Sequence, residues 1–249
     1  MSLVYRKKYE INYYDVDYKL NCKLPSLANF FCDIGNNQSE SLGDTIEVLT
    51  EKNMAWVFYQ YDIKVYEYPR YREVVNIETK ATGFKKFYAN RGYRVINEDG
   101  KLLAEATALF FLIDIEKRKP MRISDEQVDL YGAQDVAGIK VDMDKLLKLE
   151  REDVKVKFNI RYSDIDSNGH VNNSKYMEWA IESMPRDIIE KYKLDRIKVV
   201  FEKETYYGHE IEVITQIDHN DDNSIKTVHL IKSEDGLELT KLEMDWSRE

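Results

Sequence analysis

The chain is short of the residues that build disulfide frameworks, metal centres and phosphate loops. Its 249 residues include only two cysteines, Cys22 and Cys32. Two thiols make neither a disulfide framework nor a zinc site, so both are expected free, in a reducing compartment. Four prolines and ten glycines exclude collagen-like and low-complexity chains. There is no glycine-rich phosphate loop and no serine nucleophile elbow. Lys and Arg are outnumbered by Asp and Glu, 37 to 46, which argues against nucleic acid as a partner of the whole surface. No uncharged run approaches the ~20 apolar residues that span a bilayer. The opening Met-Ser-Leu-Val-Tyr-Arg-Lys-Lys lacks the apolar core of a signal peptide. A soluble, cytoplasmic protein without membrane insertion is expected.

Aromatics are plentiful, with 18 Tyr, 9 Phe and 3 Trp, and strands favour them. Apolar residues make up 43%, enough for two cores in a chain whose length suits two domains of about 120 residues. Alternating or continuous apolar runs predict strands over 5–15, 54–66, 74–81, 87–96 and 102–115. Leu24-Pro25-Ser26 marks a helix start, Pro being tolerated in the first turn. Leu27, Phe30, Phe31 and Ile34 then recur at helical spacing, and Gly35-Asn36-Asn37 are expected to interrupt the helix. Residues 116–153 read as a polar linker with one short helix.

The second half repeats the first. Tyr9-Glu-Ile-Asn-Tyr-Tyr-Asp-Val-Asp and Phe158-Asn-Ile-Arg-Tyr-Ser-Asp-Ile-Asp lie 149 residues apart, and that offset carries Phe30 onto Trp179. Further on, an offset of 137 sets Glu204 against Glu67 and Ile211 against Val74, and one of 136 matches Trp246 to Phe110. A long-period repeat sets the architecture. Each copy reads as strand, helix, then about four strands, an α+β arrangement of antiparallel sheet. The organisation expected is an N-terminal repeat over 1–132, a linker over 133–152 and a C-terminal repeat over 153–249.

Polar side chains concentrate in Ser163-Asp-Ile-Asp-Ser-Asn-Gly-His-Val-Asn-Asn173, between a predicted strand and a predicted helix at 174–184. Asp164-x-Asp166-x-Asn168-Gly169 begins like an EF-hand loop, but the twelfth position is Lys175 where a bidentate Glu is required. The repeat separates the fold's residues from the site's. Asp164 and Asp166 match Asp15 and Asp17, whereas Asn168 and His170 fall on Lys19 and Asn21. One working site per chain is therefore expected, with His170 at the start of the helix. In a strand Glu202 and Glu204 share a face, and either could serve as a general base. His209, His219 and His229 read as surface or packing residues.

At these residues the sequence resembles the acyl-ACP thioesterases, plant-type and bacterial. The likeness is carried by Arg161-Tyr-Ser-Asp-Ile-Asp-Ser-Asn-Gly-His-Val-Asn-Asn-Ser-Lys-Tyr176, by Trp179 and by Glu182-Ser-Met-Pro185. Trp56-Val57, Tyr68-Pro69 and residues 91–94 support it. The resemblance implies a double hotdog: two tandem repeats, each a curved antiparallel sheet wrapped around a long central helix. It also implies hydrolysis of fatty acyl-ACP to free fatty acid and ACP in fatty acid biosynthesis. The family's catalytic residues carry over to Asp166, Asn168 and His170, and its glutamate to Glu204, with Glu202 as the alternate. Gly169 stands where plant members have Gln, and Thr205 where they have Cys, which favours attack by water. Backbone N–H groups of residues 169–171 are expected to hold the oxyanion. Candidate substrate contacts are Leu27, Phe30, Phe31, Ile34, Trp56, Gly169, Val171 and Trp179. Acyl carrier protein is the implied partner, with no cofactor and no metal, in a monomer or homodimer. The rivals on the same fold are an acyl-CoA thioesterase and a non-catalytic acyl-binding protein.

Overall fold

Alternation in Tyr5–Glu10 puts every second side chain inward, and this segment is the first strand, β1. The computed structural model describes residues 2–221 and 223–249. Its chain falls into two compact units, Met1–Met143 and Asp144–Glu249.

In the first unit β1 leads through a short 3-10 turn into helix α1 (Leu24–Ser41), a short α2 (Ile46–Glu51) and β2 (Met54–Val65). Strands β3 (Val74–Phe84), β4 (Tyr88–Asn97) and β5 (Leu102–Asp114) follow, then the two-residue β6 (Lys119–Pro120) and α3 (Asp125–Leu130). The sheet order is β1-β3-β4-β5-β2, antiparallel throughout, with β6 added to β5. The second unit has β7 (Val154–Asn159), α4 (Asn173–Glu182), α5 (Arg186–Lys191), β8 (Tyr192–Phe201), β9 (Glu210–His219), β10 (Ser224–Ser233) and β11 (Glu238–Arg248). Its order, β7-β9-β10-β11-β8, is the same arrangement strand for strand.

The pairings correct the expected register. Tyr9 pairs with Val75 as Phe158 pairs with Ile211, and Phe58 pairs with Phe110 as Leu194 pairs with Trp246. From the second strand onward the two copies therefore keep one offset, 136. Ile211 answers Val75, not Val74, and Glu204 answers Tyr68, not Glu67. A one-residue slip would turn every inward side chain outward, so the buried faces fix the match.

Helix α1 also departs from expectation, running unbroken through Gly35-Asn36-Asn37. A Cβ on Gly35 would sit 3.3 Å from the Tyr93 hydroxyl, so glycine is there for close approach to β4. The Asn37 amide bonds back to the Asp33 carbonyl at 2.7 Å. Packing overrides the low helix propensity of these residues. The face of α1 carrying Leu27, Phe31 and Ile34 is fully buried, with Phe31 against the rings of Tyr61 and Tyr93. On α4, Tyr176, Met177, Trp179 and Ala180 are buried, and the helix packs on β9, β10 and β11.

Residues 144–153 lie bonded to the sheet of the second unit. Asp144 meets Lys198 at 3.2 Å, and the Leu147 N–H donates to buried Glu243 at 3.1 Å. The N–H groups of Glu150 and Arg151 both reach the buried Gln216 Oε1. Burial pushes the Glu243 carboxyl up, but the Leu147 N–H and the ammonium groups of Lys226 and Lys198 outweigh it and hold the carboxyl below its usual range.

A buried polar chain crosses the same unit. Ser183 Oγ donates to the Ala180 carbonyl, so Thr215 must donate to Ser183, and His229 Nδ1–H must donate to Thr215 at 2.9 Å. Thr227 then donates to His229 Nε2 at 2.8 Å and accepts from the Trp246 indole N–H. This direction of donors requires neutral imidazole, and burial lowers its pKa from 6.5 to about 3. The folded state thus refuses a proton that the unfolded chain takes up below pH 6.5. The contribution is fully present above pH 6.5 and is lost as pH falls toward 3, by at most about 1.4 kcal/mol per pH unit. Urea midpoints of the wild type should fall across this window more steeply than those of His229→Gln. Equal slopes would remove His229 as a source of acid lability.

Candidate active site

The turn after β7 is built the same way as the turn after β1, bond for bond. Buried Asp164 accepts the Arg161 N–H at 2.8 Å, as Asp15 accepts that of Asn12 at 2.9 Å. The Asp164 carbonyl accepts the Asn172 N–H, as the Asp15 carbonyl accepts that of Lys23. Asp166 Oδ1 takes the N–H groups of Asn168 (2.8 Å) and His170 (3.3 Å), and Asp17 Oδ1 takes those of Lys19 (2.9 Å) and Asn21 (3.0 Å). The tip residue is left-handed in both, Gly169 at φ 78° and Leu20 at φ 63°. Leucine bears that conformation at a cost of roughly 1–2 kcal/mol, so the turn itself is strong. Finally, Val171 N–H reaches the Thr205 carbonyl as Cys22 N–H reaches that of Pro69.

Asp164 has a second support in the Arg161 guanidinium, whose Nη2 lies 2.9 Å from Oδ1. Burial raises the Asp164 carboxyl, but the Arg161 side chain and N–H more than offset it and hold the pKa below the usual range. Lys175, which denied the turn its calcium ligand, is an ion-pair neighbour of Asp164 at 3.7 Å.

On this frame sit the groups found in one copy alone. His170 Nε2 lies 3.4 Å from Glu204 Oε2, with each side chain about one-third exposed. Asn168 is exposed on the turn. The structure brings Glu204, and not Glu202, to the histidine; Glu202 faces Lys241 at 3.5 Å. Neither glutamate is in a strand, because β8 ends at Phe201. Their N–H and side-chain directions therefore follow a loop and not the alternation expected of a strand. That loop is held from below by buried Tyr176, which bonds the Thr205 backbone. Burial pushes the Tyr176 phenol up, and the carboxylates of Glu204 and Asp166 add to it. The Tyr206 ring lies 5.3 Å from the His170 ring.

Two expectations change. His170 precedes the helix, whose cap is Asn172, with Asn172 Oδ1 accepting the Ser174 N–H at 3.0 Å. The N–H groups of Gly169, His170 and Val171 are already given to Asp166 and Thr205, so they are not free to hold an oxyanion. Trp179 is a buried packing residue beside Phe158 and Tyr176. Among the other named contacts, Val171, Leu27, Phe31 and Ile34 are buried, Phe30 packs on Tyr9, and Trp56 donates its indole N–H to buried Asp44 at 3.1 Å. Arg161 and Tyr176 stand in the stretch that carries the likeness, but their support of the turn and of the Thr205 loop is not legible there, and Tyr206 is not singled out. The signal for Tyr206 was a corrected repeat offset, since its counterpart is Arg70.

Comparison with known proteins agrees with this frame. The acyl-ACP thioesterase N-terminal domain matches residues 2–131, and the acyl-ACP thioesterase C-terminal domain matches residues 147–248. The chain belongs to the acyl-ACP thioesterase family. It is 26% identical to the chloroplastic palmitoyl-acyl carrier protein thioesterase of Gossypium hirsutum over 98% of its own length and 64% of that protein's. The chain thus spans less than two-thirds of that curated relative. A solved structure provisionally named an oleoyl thioesterase, from Lactobacillus plantarum, matches with TM-score 0.90 and 25% identity over 99% of this chain and 97% of that one. The 12:0-ACP thioesterase from Umbellularia californica matches with TM-score 0.87 and 22% identity over 99% and 94%. The mostly antiparallel, hotdog-like fold of the acyl-ACP thioesterase family is the fold of this chain. Among the described residues no helix is long and apolar enough to cross a membrane.

Because Asp17 and Asp166 bind their turns alike, Asp17→Ala and Asp166→Ala should each lower stability by about 0.5–1.5 kcal/mol, as loss of a half-buried acceptor of backbone N–H groups does. Asp166→Asn keeps an acceptor and should cost less. Urea unfolding of the three variants checks this. A large loss from Asp166→Ala beside none from Asp17→Ala would break the equivalence of the two turns.

Proposed function

We propose that the protein hydrolyses the thioester of fatty acyl-ACP, releasing free fatty acid and the carrier protein. The observation that carries this reading is the 3.4 Å approach of His170 Nε2 to Glu204 Oε2, beside exposed Asn168, on a turn whose first-half counterpart lacks all three groups. We read each unit as one hotdog domain, with the sheet curved around α1 or α4; the linker expected over 133–152 is divided between the units, its residues from Asp144 on belonging to the second.

In this reading a water beside Glu204 gives its proton to that carboxylate and attacks the thioester carbonyl carbon. The amide N–H of Asn168 serves the developing oxyanion, because the nearby backbone donors are occupied. The carbon–sulfur bond breaks as the intermediate collapses, and His170 or protonated Glu204 gives the leaving thiolate its proton. Asp166 acts through the turn and holds Asn168 and His170 by their N–H groups. Thr205 is buried and supplies no thiol, which supports water over a covalent route.

Glu204→Gln should lower turnover of acyl-ACP by roughly 10²–10⁴, the range of a lost general base, while Glu202→Gln should stay near wild type. Hydrolysis is measured on one acyl chain carried by ACP and, separately, by CoA, at low and high salt. Full turnover by His170→Ala would overturn the site, and preference for the CoA ester would overturn the carrier.

A further inference from the structure

Once the site is built, one aromatic ring against the catalytic pair is unassigned. The Tyr206 ring lies 5.3 Å from the His170 ring at an interplanar angle of 57°. On its other contact it lies 6.4 Å from His209. It is 46% exposed, so it does not anchor the core.

Comparison of the two copies separates what the loop needs from what it adds. The loop after β8 and the loop after β2 share a frame. Lys203 N–H reaches the Leu239 carbonyl as Glu67 N–H reaches that of Leu103. Gly208 is left-handed at φ 86°, and its counterpart Arg72 at φ 66°. Tyr207 packs edge-on against Tyr162 at 6.5 Å, as Tyr71 does against Tyr13 at 6.1 Å. These features recur without any catalytic group nearby, so they belong to the fold.

Side chains that differ between the copies include Asn168 for Lys19, His170 for Asn21, Glu204 for Tyr68 and Tyr206 for Arg70. In the first copy Arg70 closes the loop, its N–H donating to Glu73 Oε2 at 2.9 Å. In the second copy His209 replaces that glutamate, and position 206 turns an aromatic ring to the histidine. The backbone frame of the loop thus does not require a tyrosine at position 206, and what the ring adds is its contact with His170.

There is a physical need for it. The last side-chain torsion of histidine is soft and broad. His170 is one-third exposed, and its approach to Glu204 at 3.4 Å is long for a hydrogen bond. A ring packed against the imidazole narrows that torsion. Aromatic rings at this separation attract one another, which favours one ring orientation over a free one.

We propose that Tyr206 is a positioning residue, holding the imidazole of His170 with Nε2 toward Glu204. This rests on the thioesterase reading of the site. It acts through its ring, not its hydroxyl, and it touches neither substrate nor the reacting atoms.

The test is a double-mutant cycle in the full chain, on the acyl-ACP that the wild type turns over fastest. Tyr206→Ala should lower kcat about tenfold, in the range that slight misplacement of a catalytic group costs, with KM within about twofold. Tyr206→Phe should restore kcat to within about twofold. In the His170→Ala background, single-turnover rates with enzyme in excess should show less than a twofold further loss on adding Tyr206→Ala, because the two act as a unit. Where Tyr206→Ala does not fold, Tyr206→Leu removes the ring and keeps the bulk. A wild-type kcat for Tyr206→Ala, failure of Phe to restore it, or the same tenfold loss in both backgrounds overturns the proposal. None of those touches the site reading, which falls only if His170→Ala alone keeps full turnover.

Discussion

The site depends on a carboxylate that need not meet substrate. Asp166 gathers the N–H groups of Asn168 and His170 onto a single oxygen, and its own N–H returns to the His170 carbonyl at 2.8 Å. The bond from Asn168 is short, at 2.8 Å, as charge-assisted bonds are, and that from His170 is longer, at 3.3 Å. They fix the two residues from the main chain outward, so each side chain starts from a rigid base. Asp164 does the same one step earlier, from a fully buried position. The acids that dominate this stretch by sequence are therefore its framework.

That framework exists twice. In the first unit it carries Lys19 and Asn21 on the same backbone and leads to the same kind of helix. The proposed site then comes from side chains placed on a turn whose backbone recurs without them. The glutamate comes from another part of the chain, and its position depends on the Val171–Thr205 backbone bond and on Tyr176 below. The histidine and the glutamate meet because two loops are tied to each other.

Much of this was legible in the sequence. Alternating strands were readable because each sheet has one buried face, and the turn acids were readable because the repeat preserves them. Expectation failed where tertiary contact decides. Gly35-Asn36-Asn37 look like a helix break, yet Tyr93 packed over Gly35 makes them mid-helix residues. The offset between the copies was misjudged by one residue near Glu204, because residues 202–206 form a loop without alternation to fix the register. The backbone donors at 169–171 looked available because the sequence does not say that Asp166 and Thr205 have claimed them. His229 read as packing, and its packing is polar: a chain of donors from Trp246 to Ala180 with one possible direction.

The segment at 144–153 has a consequence for dividing the chain in two. By composition it is a tether, and a fragment starting after it would keep every strand of the second unit. Such a fragment would leave Glu243, 4% exposed, without the N–H of Leu147, and Gln216 without those of Glu150 and Arg151. Water replaces those donors once the segment is gone, and each lost hydrogen bond costs about 0.5–1.5 kcal/mol. The natural seam for dissection therefore lies ahead of Asp144, and these ten residues travel with the half they cover.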